Sequence, residues 1–291
     1  MITPQEEKPE LARALGIKSV FLKREDLHPY GSHKGRSIPV MIDIHIAQDI
    51  KHFAISSSGN SALAAAFHIK KINEKIKNKI ILEILLGKNI KKEKFKKIEG
   101  LVDENILISS HDRPLQALFI KTKDENIKSL RQSIDDTALI GYHSLAEELL
   151  EIPDLKAVFI GTSSGTTAQA LSEYFIKNKR KIEIHIVQTS LCHPIADAFV
   201  NYDGGDIVSI ADAIVDERAM RKDTLVPLII NANGNGWIAL NEQIRSAQNM
   251  VKKYANVSIS TNSALSVAGL MEASYTGKTW DGAVVCMICG E

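Results

Sequence analysis

Lys34 stands just beyond a Gly31-Ser32 turn in KREDLHPYGSHKGR, residues 23–36, and a helical pattern follows it. A lysine amine adds to an aldehyde to give an imine, and once released it is a base already in place. In a chain with 36 Lys+Arg an ordinary lysine is a surface solubiliser, so position and not residue type singles this one out. Two further segments, SSSGNS at 56–61 and GTSSGTT at 161–167, are small and rich in hydroxyls, and each joins a strand pattern to a helical one. Backbone N–H groups at a helix start bind anions, helped by the helix dipole. Taken together, one amine and two anion-suited loops fit an enzyme that holds an aldehyde cofactor by its carbon and by its phosphate.

In the first loop Ser57, Ser58, Gly59 and Ser61 can clasp a carboxylate with hydroxyls and N–H groups, and Asn60 offers a donor and an acceptor to a ring oxygen. Serine and asparagine also favour helix starts as plain caps, so this loop alone is equally a helix start. In the second loop Ser163, Ser164, Gly165, Thr166 and Thr167 offer N–H donors and hydroxyls without bulk, which suits a monophosphate. The Lys-Ser/Thr ending of a nucleoside-triphosphate loop and the three-glycine dinucleotide fingerprint are both absent from it.

The elements that position these residues follow from periodicity. SVFLK (19–23), HFAIS (52–56), IILEILL (80–86), NILIS (105–109), AVFIG (157–161), IEIHIVQ (182–188) and AVVCMIC (283–289) read as strands. Several are apolar throughout, as expected when helices cover both sheet faces. IPVMIDIHIAQDI, NSALAAAFHIKKI, SLAEELLEI, TTAQALSEYFIKN, NEQIRSAQNMVKKY and SALSVAGLMEA read as helices. Alternating strands and helices predict an α/β fold with mostly parallel sheets. Segment 110–140 carries few periodic signals and receives no assignment. Composition shifts in the lysine-rich middle, so the expected organisation is interrupted: 1–40 with 145–291 as a large cofactor-binding lobe, and 41–144 as a smaller mobile lobe. Each lobe is expected to hold a twisted, mostly parallel sheet flanked by helices, with the ligand in the cleft between them.

Composition narrows the function classes. The 36 Lys+Arg and 35 Asp+Glu nearly cancel, so no overall field points to nucleic acid. The lysine-crowded run 70–97 contains Phe95 as its only aromatic residue, which gives base stacking no platform and reads as a solvated face. Cys192, Cys286 and Cys289 make no disulfide framework, and the last two, though spaced C-x-x-C, lie in an apolar strand run; no metal site is expected. MITPQEEKPE lacks an apolar signal region and no run reaches membrane-spanning length, so the expectation is a cytoplasmic enzyme without membrane contact.

The chain resembles the tryptophan-synthase-β-like (fold type II) family of pyridoxal-phosphate enzymes over nearly its whole length. KREDLHPYGSHKGR is similar to the family's lysine segment KxEdxNPTGSFKDR, SSGNS to its carboxylate loop, and GTSSGTT to its phosphate loop GTGTGGT. GWIALNEQIRSAQNMVKKYANVSISTNSALSVAGL and the closing VVCMICGE resemble later stretches of the threonine-synthase and dehydratase branch. So do GYHSLAEELLEI and EIHIVQTSLCHPIADAF. The resemblance implies pyridoxal 5'-phosphate as cofactor, with Lys34 forming the Schiff base and Asn60 bonding the phenolic oxygen. It implies that Ser57, Ser58, Gly59 and Ser61 receive the substrate carboxylate and that Ser163, Ser164, Gly165, Thr166 and Thr167 hold the phosphate. Cys289 would stand near the pyridine nitrogen, where an uncharged neighbour favours elimination or replacement at the β or γ carbon. His33, Gly35 and Ser37 depart from the commoner residues of the lysine segment, and Ser163 and Thr166 replace glycines of the phosphate loop. Thr166 would be strained if its backbone needed positive φ.

These likenesses imply an amino-acid lyase or transferase of threonine-synthase type acting on a small amino acid, with a homodimeric assembly usual in the family. Serine/threonine dehydratase and cysteine-synthase-like β-replacement are the neighbouring expectations. A non-catalytic relative that binds cofactor or amino acid is the alternative of another class, and no basic residue for a substrate phosphate stands out in the sequence.

Overall fold

The computed structural model describes residues 2–88, 90 and 92–290, and these divide by their contacts into two units, Met1–His28 with Tyr142–Glu291, and Pro29–Gly141. The first unit contains β1 (Gln5–Glu7), α1 (Pro9–Leu15) and β2 (Ser19–Arg24). The chain then passes through the second unit: α2 (Lys34–Ile46), β3 (His52–Ile55), α3 (Asn60–Asn73), β4 (Ile81–Gly87) and α4 (Lys92–Glu99). This unit continues with β5 (Ile106–His111), α5 (Pro114–Lys121), β6 (Ile127–Ser129) and α6 (Thr137–Ile140). The chain returns to the first unit with α7 (His143–Leu150), β7 (Leu155–Gly161), α8 (Thr166–Lys177), β8 (Glu183–Thr189) and α9 (Lys222–Asn231). It finishes with β9 (Asn235–Ala239), α10 (Asn241–Ala255), α11 (Thr261–Tyr275) and β10 (Ala283–Ile288).

Among the described residues the first unit holds a six-stranded sheet in the order β1-β2-β10-β7-β8-β9. Only the β1–β2 pair is antiparallel; the others run parallel, with Val285 opposite Phe21 on one side and Val158 on the other. Every residue of β10 is buried, which is why its sequence is apolar without alternation. On one face α11 packs across the middle of the sheet. A Cβ at Gly269 would lie 2.4 Å from Val187 Cγ2, so glycine here lets the helix backbone approach β8. Leu265, Val267, Leu270, Phe159, Val187 and Val284 sit in this core.

The second unit holds a four-stranded parallel sheet in the order β5-β4-β3-β6. Phe53, Leu82, Ile84 and Ile106 form its core with Ile38, Met41 and Ile42 of α2 and the alanines of α3. The α/β class and the mostly parallel sheets match the expectation. The boundaries fall elsewhere than expected: 142–144 lies in the first unit and 29–40 in the second. Ile38, Met41 and Ile42 bury their side chains in that unit's core, a packing preference that composition along the chain does not reveal.

The lysines at 71, 75, 77, 79, 88, 92, 96 and 97 are exposed, in keeping with a solvated face. Asn89 and Lys91 of that run, like Met1 and Glu291 of the quoted terminal segments, lie outside the described residues, as do the side chains of Glu93 and Lys94. No helix among the described residues is long and apolar enough to cross a membrane.

Candidate active site

Within the second unit, Lys34 is the first residue of α2. The sequence pattern started this helix at Ile38; it begins four residues earlier, with Pro39 inside it. Gly31, at φ +77, makes the turn that a residue with a Cβ would resist, and the buried Ser32 accepts the Lys34 N–H through its Oγ at 3.3 Å. Behind the lysine, Ser37 is fully buried and donates its hydroxyl to Ala138 O at 2.7 Å. A Cβ at Gly141 would lie 2.5 Å from Arg36 O, so the start of α2 is clamped against the segment that follows α6. The lysine therefore projects, half-buried, from a rigid first turn.

The carboxylate loop joins β3 to α3 in the same unit, and α2 packs against α3. Ser57, Ser58, Gly59, Asn60 and Ser61 are all half-buried there, neither sealed nor freely solvated. Ser57 Oγ accepts the Gly59 N–H at 3.3 Å, and Gly59 O accepts from Leu63 N at 3.2 Å as the helix begins. No side chain caps α3. The cap position itself is Gly59, and the helix's first turn presents N–H groups lacking intrahelical acceptors.

In the first unit the glycine loop leaves the carboxyl end of β7 and enters α8 at Gly165. The one positive φ in the loop, +86, falls on Gly165, so Thr166 takes ordinary helical geometry and the strain expected for it does not arise. A Cβ at Gly165 would also stand 2.9 Å from Leu225 Cδ2 and 3.1 Å from Ile195 Cδ1. Ser163 donates its hydroxyl to Asp216 Oδ2 at 3.0 Å and accepts from the N–H groups of Val215 and Asp216. Its hydroxyl hydrogen is therefore committed, and what it can offer an anion is its backbone. Ser164 and Thr166 share a hydroxyl–hydroxyl bond of 2.9 Å, and Thr167 is buried in the first turn of α8.

Cys289 follows β10, the sheet neighbour of β7, so it leaves the same carboxyl edge as the glycine loop. It is buried, and its thiol reaches Met287 O at 3.8 Å. The next residue, Gly290, has φ +102 and is pinned to the start of α11: its carbonyl accepts from Ser260 Oγ at 2.6 Å and Ser263 Oγ at 3.0 Å. Cys286 lies in β10, where burial pushes its thiol up, consistent with a core position.

Two residues with evident roles drew no attention in the sequence. Gln188 is fully buried at the end of β8; its amide donates to Thr162 O at 3.2 Å while its oxygen accepts from Ile195 and Ala196 N–H groups. It fastens the glycine loop to the segment after β8; it stands within the resembling stretch EIHIVQTSLCHPIADAF, which carries no hint of this role. Arg221 is 5% exposed, donating from Nε to Thr166 Oγ1 at 3.2 Å and from an Nη to Gln169 Oε1 at 3.0 Å. It hides in ERAMRKDT, which reads as a solvated charge run.

These residues fit pyridoxal phosphate on their own chemistry: a lysine on a braced first turn, and a helix N-terminus opened by a positive-φ glycine with hydroxyls around it. Comparison with known proteins points the same way. A threonine synthase of Methanocaldococcus jannaschii is 22% identical over 99% of this chain and 74% of its own length. An L-serine dehydratase/L-threonine deaminase of Mus musculus is 34% identical over 70 residues, 24% of this chain and 21% of its own. Among solved structures, a pyridoxal 5'-phosphate-dependent aspartate racemase superimposes with a TM-score of 0.82 at 20% identity, covering 100% of this chain and 90% of that one. Threonine deaminase isoform 2 from Solanum lycopersicum gives 0.79 at 19% identity, covering 99% and 83%. The family model described as pyridoxal-phosphate dependent enzyme matches residues 2–290, and the chain belongs to that family, with the fold-type II architecture its two mostly parallel sheets display.

Proposed function

We propose that the protein is an amino-acid lyase or transferase of threonine-synthase type, working at the β or γ carbon of a small amino acid. The observation that carries this reading is Lys34 at the braced head of α2, in a chain whose full-length relatives include threonine synthases. When bound, pyridoxal phosphate supplies an electron sink for negative charge at the substrate's α carbon. Lys34 would hold the cofactor through its aldehyde carbon, and its Nζ, once free, would serve as the base for the substrate's α proton. Ser57, Ser58, Gly59 and Ser61 orient the substrate through its carboxylate at the start of α3, and Asn60 bonds the cofactor's phenolic oxygen. Ser164, Gly165, Thr166 and Thr167, with the backbone of Ser163, bind the phosphate. Cys289 is the neighbour assigned to the ring nitrogen; a thiol in place of a carboxylate leaves that nitrogen without a charged partner and favours elimination or replacement.

Serine/threonine dehydratase activity is the second reading, favoured by the local likeness to the mouse dehydratase/deaminase. Purified protein reconstituted with pyridoxal phosphate should show an absorbance band that borohydride abolishes, with the reduced adduct mapping to Lys34. Lys34→Ala should lose the adduct and all turnover. Incubation with O-phosphohomoserine, threonine, serine and O-acetylserine then separates phosphate release from ammonia and keto-acid release. An adduct that survives Lys34→Ala, or cofactor loading without turnover of any amino acid, defeats the proposal.

A further inference from the structure

Arg221 lies beneath the glycine loop, outside every residue assigned above to cofactor or substrate. Its guanidinium is donor-only, so the contact at 3.2 Å fixes Thr166 Oγ1 as an acceptor. The second contact, to Gln169 Oε1 at 3.0 Å, lies one turn further along α8 and holds the guanidinium against the helix's opening turn. Thr166 Oγ1 is in turn 2.9 Å from Ser164 Oγ. A hydroxyl that already accepts from a cation is a stronger donor of its own hydrogen, because hydrogen bonds in a chain polarise one another. The 2.9 Å contact admits either hydroxyl as donor; with the Arg221 cation favouring Thr166 in that part, the hydrogen of Ser164 is left for a ligand. The other serine of the loop cannot take this part, since Ser163 has given its hydrogen to Asp216.

We propose that Arg221 is a positioning residue for the cofactor phosphate. It acts through Thr166 to aim the Ser164 hydroxyl as a donor. This inference rests on the assignment of the loop to pyridoxal phosphate. It also accounts for the hydroxyl residue at 166, where the family's loop carries glycine. The loop of this chain binds through hydroxyls braced from below as well as through backbone N–H groups.

The test compares pyridoxal phosphate with pyridoxal, which lacks the phosphate, each titrated by absorbance into the full-length protein. Arg221→Gln is expected to weaken pyridoxal phosphate about ten- to a hundredfold, the range of one hydrogen bond to a charged group, and to leave pyridoxal unchanged. Arg221→Lys should recover part of the loss. Combined with Ser164→Ala, Arg221→Gln should add little, because both break one relay. Thr166→Val keeps the Arg221 contact to Gln169 and should repeat the selective loss, which covers the case in which Arg221→Gln does not fold. Equal weakening of both aldehydes, an unchanged ratio between them, or losses that multiply in the double variant would overturn the inference. If the unaltered protein binds neither aldehyde at Lys34, the assignment of the site itself falls, a result distinct from any of these.

Discussion

Lys23 offers the sharpest test of how the first unit is held together, because a fully buried ammonium is tolerated only when each of its hydrogens is answered. Its Nζ donates to Thr3 O at 2.9 Å, to Gln5 Oε1 at 3.2 Å and to the Glu148 carboxylate, whose side chain is 7% exposed. Glu148 also accepts the Thr3 N–H at 3.3 Å, while the Thr3 hydroxyl donates to the buried Glu25. One amine therefore joins β2, α7 and the residues before β1. Lys23→Met keeps the length of the stem, so little cavity opens, and what is lost is the charge and its three bonds. Glu148 would remain buried, keeping the Thr3 N–H but losing the ammonium opposite its carboxylate. Breaking a buried pair from one side costs about 3–5 kcal/mol. Glu148→Gln strands the ammonium instead and should fall in the same range or somewhat below it. Because both changes remove one interaction, the double variant should lose less than the sum of the singles, with an interaction of about 1–3 kcal/mol. Urea unfolding at neutral pH reads each value from the midpoint, provided the slope is unchanged. A loss below about 1 kcal/mol for Lys23→Met, or strict additivity in the double variant, would refute the reasoning, since either would match an exposed pair instead.

Gly165→Ala should cost about 1–2 kcal/mol from left-handed backbone alone, with Leu225 and Ile195 forced to shift; a melting temperature and phosphate-dependent cofactor affinity both unchanged would contradict the account of the loop. Asp135 predicts an acid limb in the stability of the second unit. Burial alone would raise its carboxyl, but hydrogen bonds from Thr137, His45 and Lys128 outweigh this and hold it at about 2, below its ordinary 3.8. A lowered folded value stabilises above the unfolded one, so the contribution is whole above about pH 4 and is lost as pH falls toward about 2, amounting to about 2 kcal/mol. Asp135→Asn should remove that amount at neutral pH and flatten the profile between those limits, measured by denaturant midpoints at stepped pH.

What the chain revealed in advance was governed by how much local pattern each element carries. β10, β7 and β8 are buried on both faces, so their apolar runs announced them; β1, three polar residues paired antiparallel at an edge, has no pattern to read. α9 contains Pro227 and α2 contains Pro39, and each proline breaks the helical signal although the helix continues through it. α5 leaves Leu115, Phe119 and Ile120 exposed, so its apolar residues do not fall on one stripe. The same logic separates the residues of the site. Lys34 and the two loops were legible because they follow strand patterns and carry small, hydroxylated, chemistry-bearing types in sequence order. Arg221 and Gln188 were not, because each acts on a loop that lies distant in sequence: the arginine across 55 positions to Thr166 and the amide across 26 to Thr162. Their meaning comes from burial. An arginine in a charge run is ordinarily solvated, and only its burial in the fold shows that this one serves the structure. The glycine loop thus has two layers of specification, a local one written in its own hydroxyls and a distant one that fixes which of those hydroxyls still has a hydrogen to give.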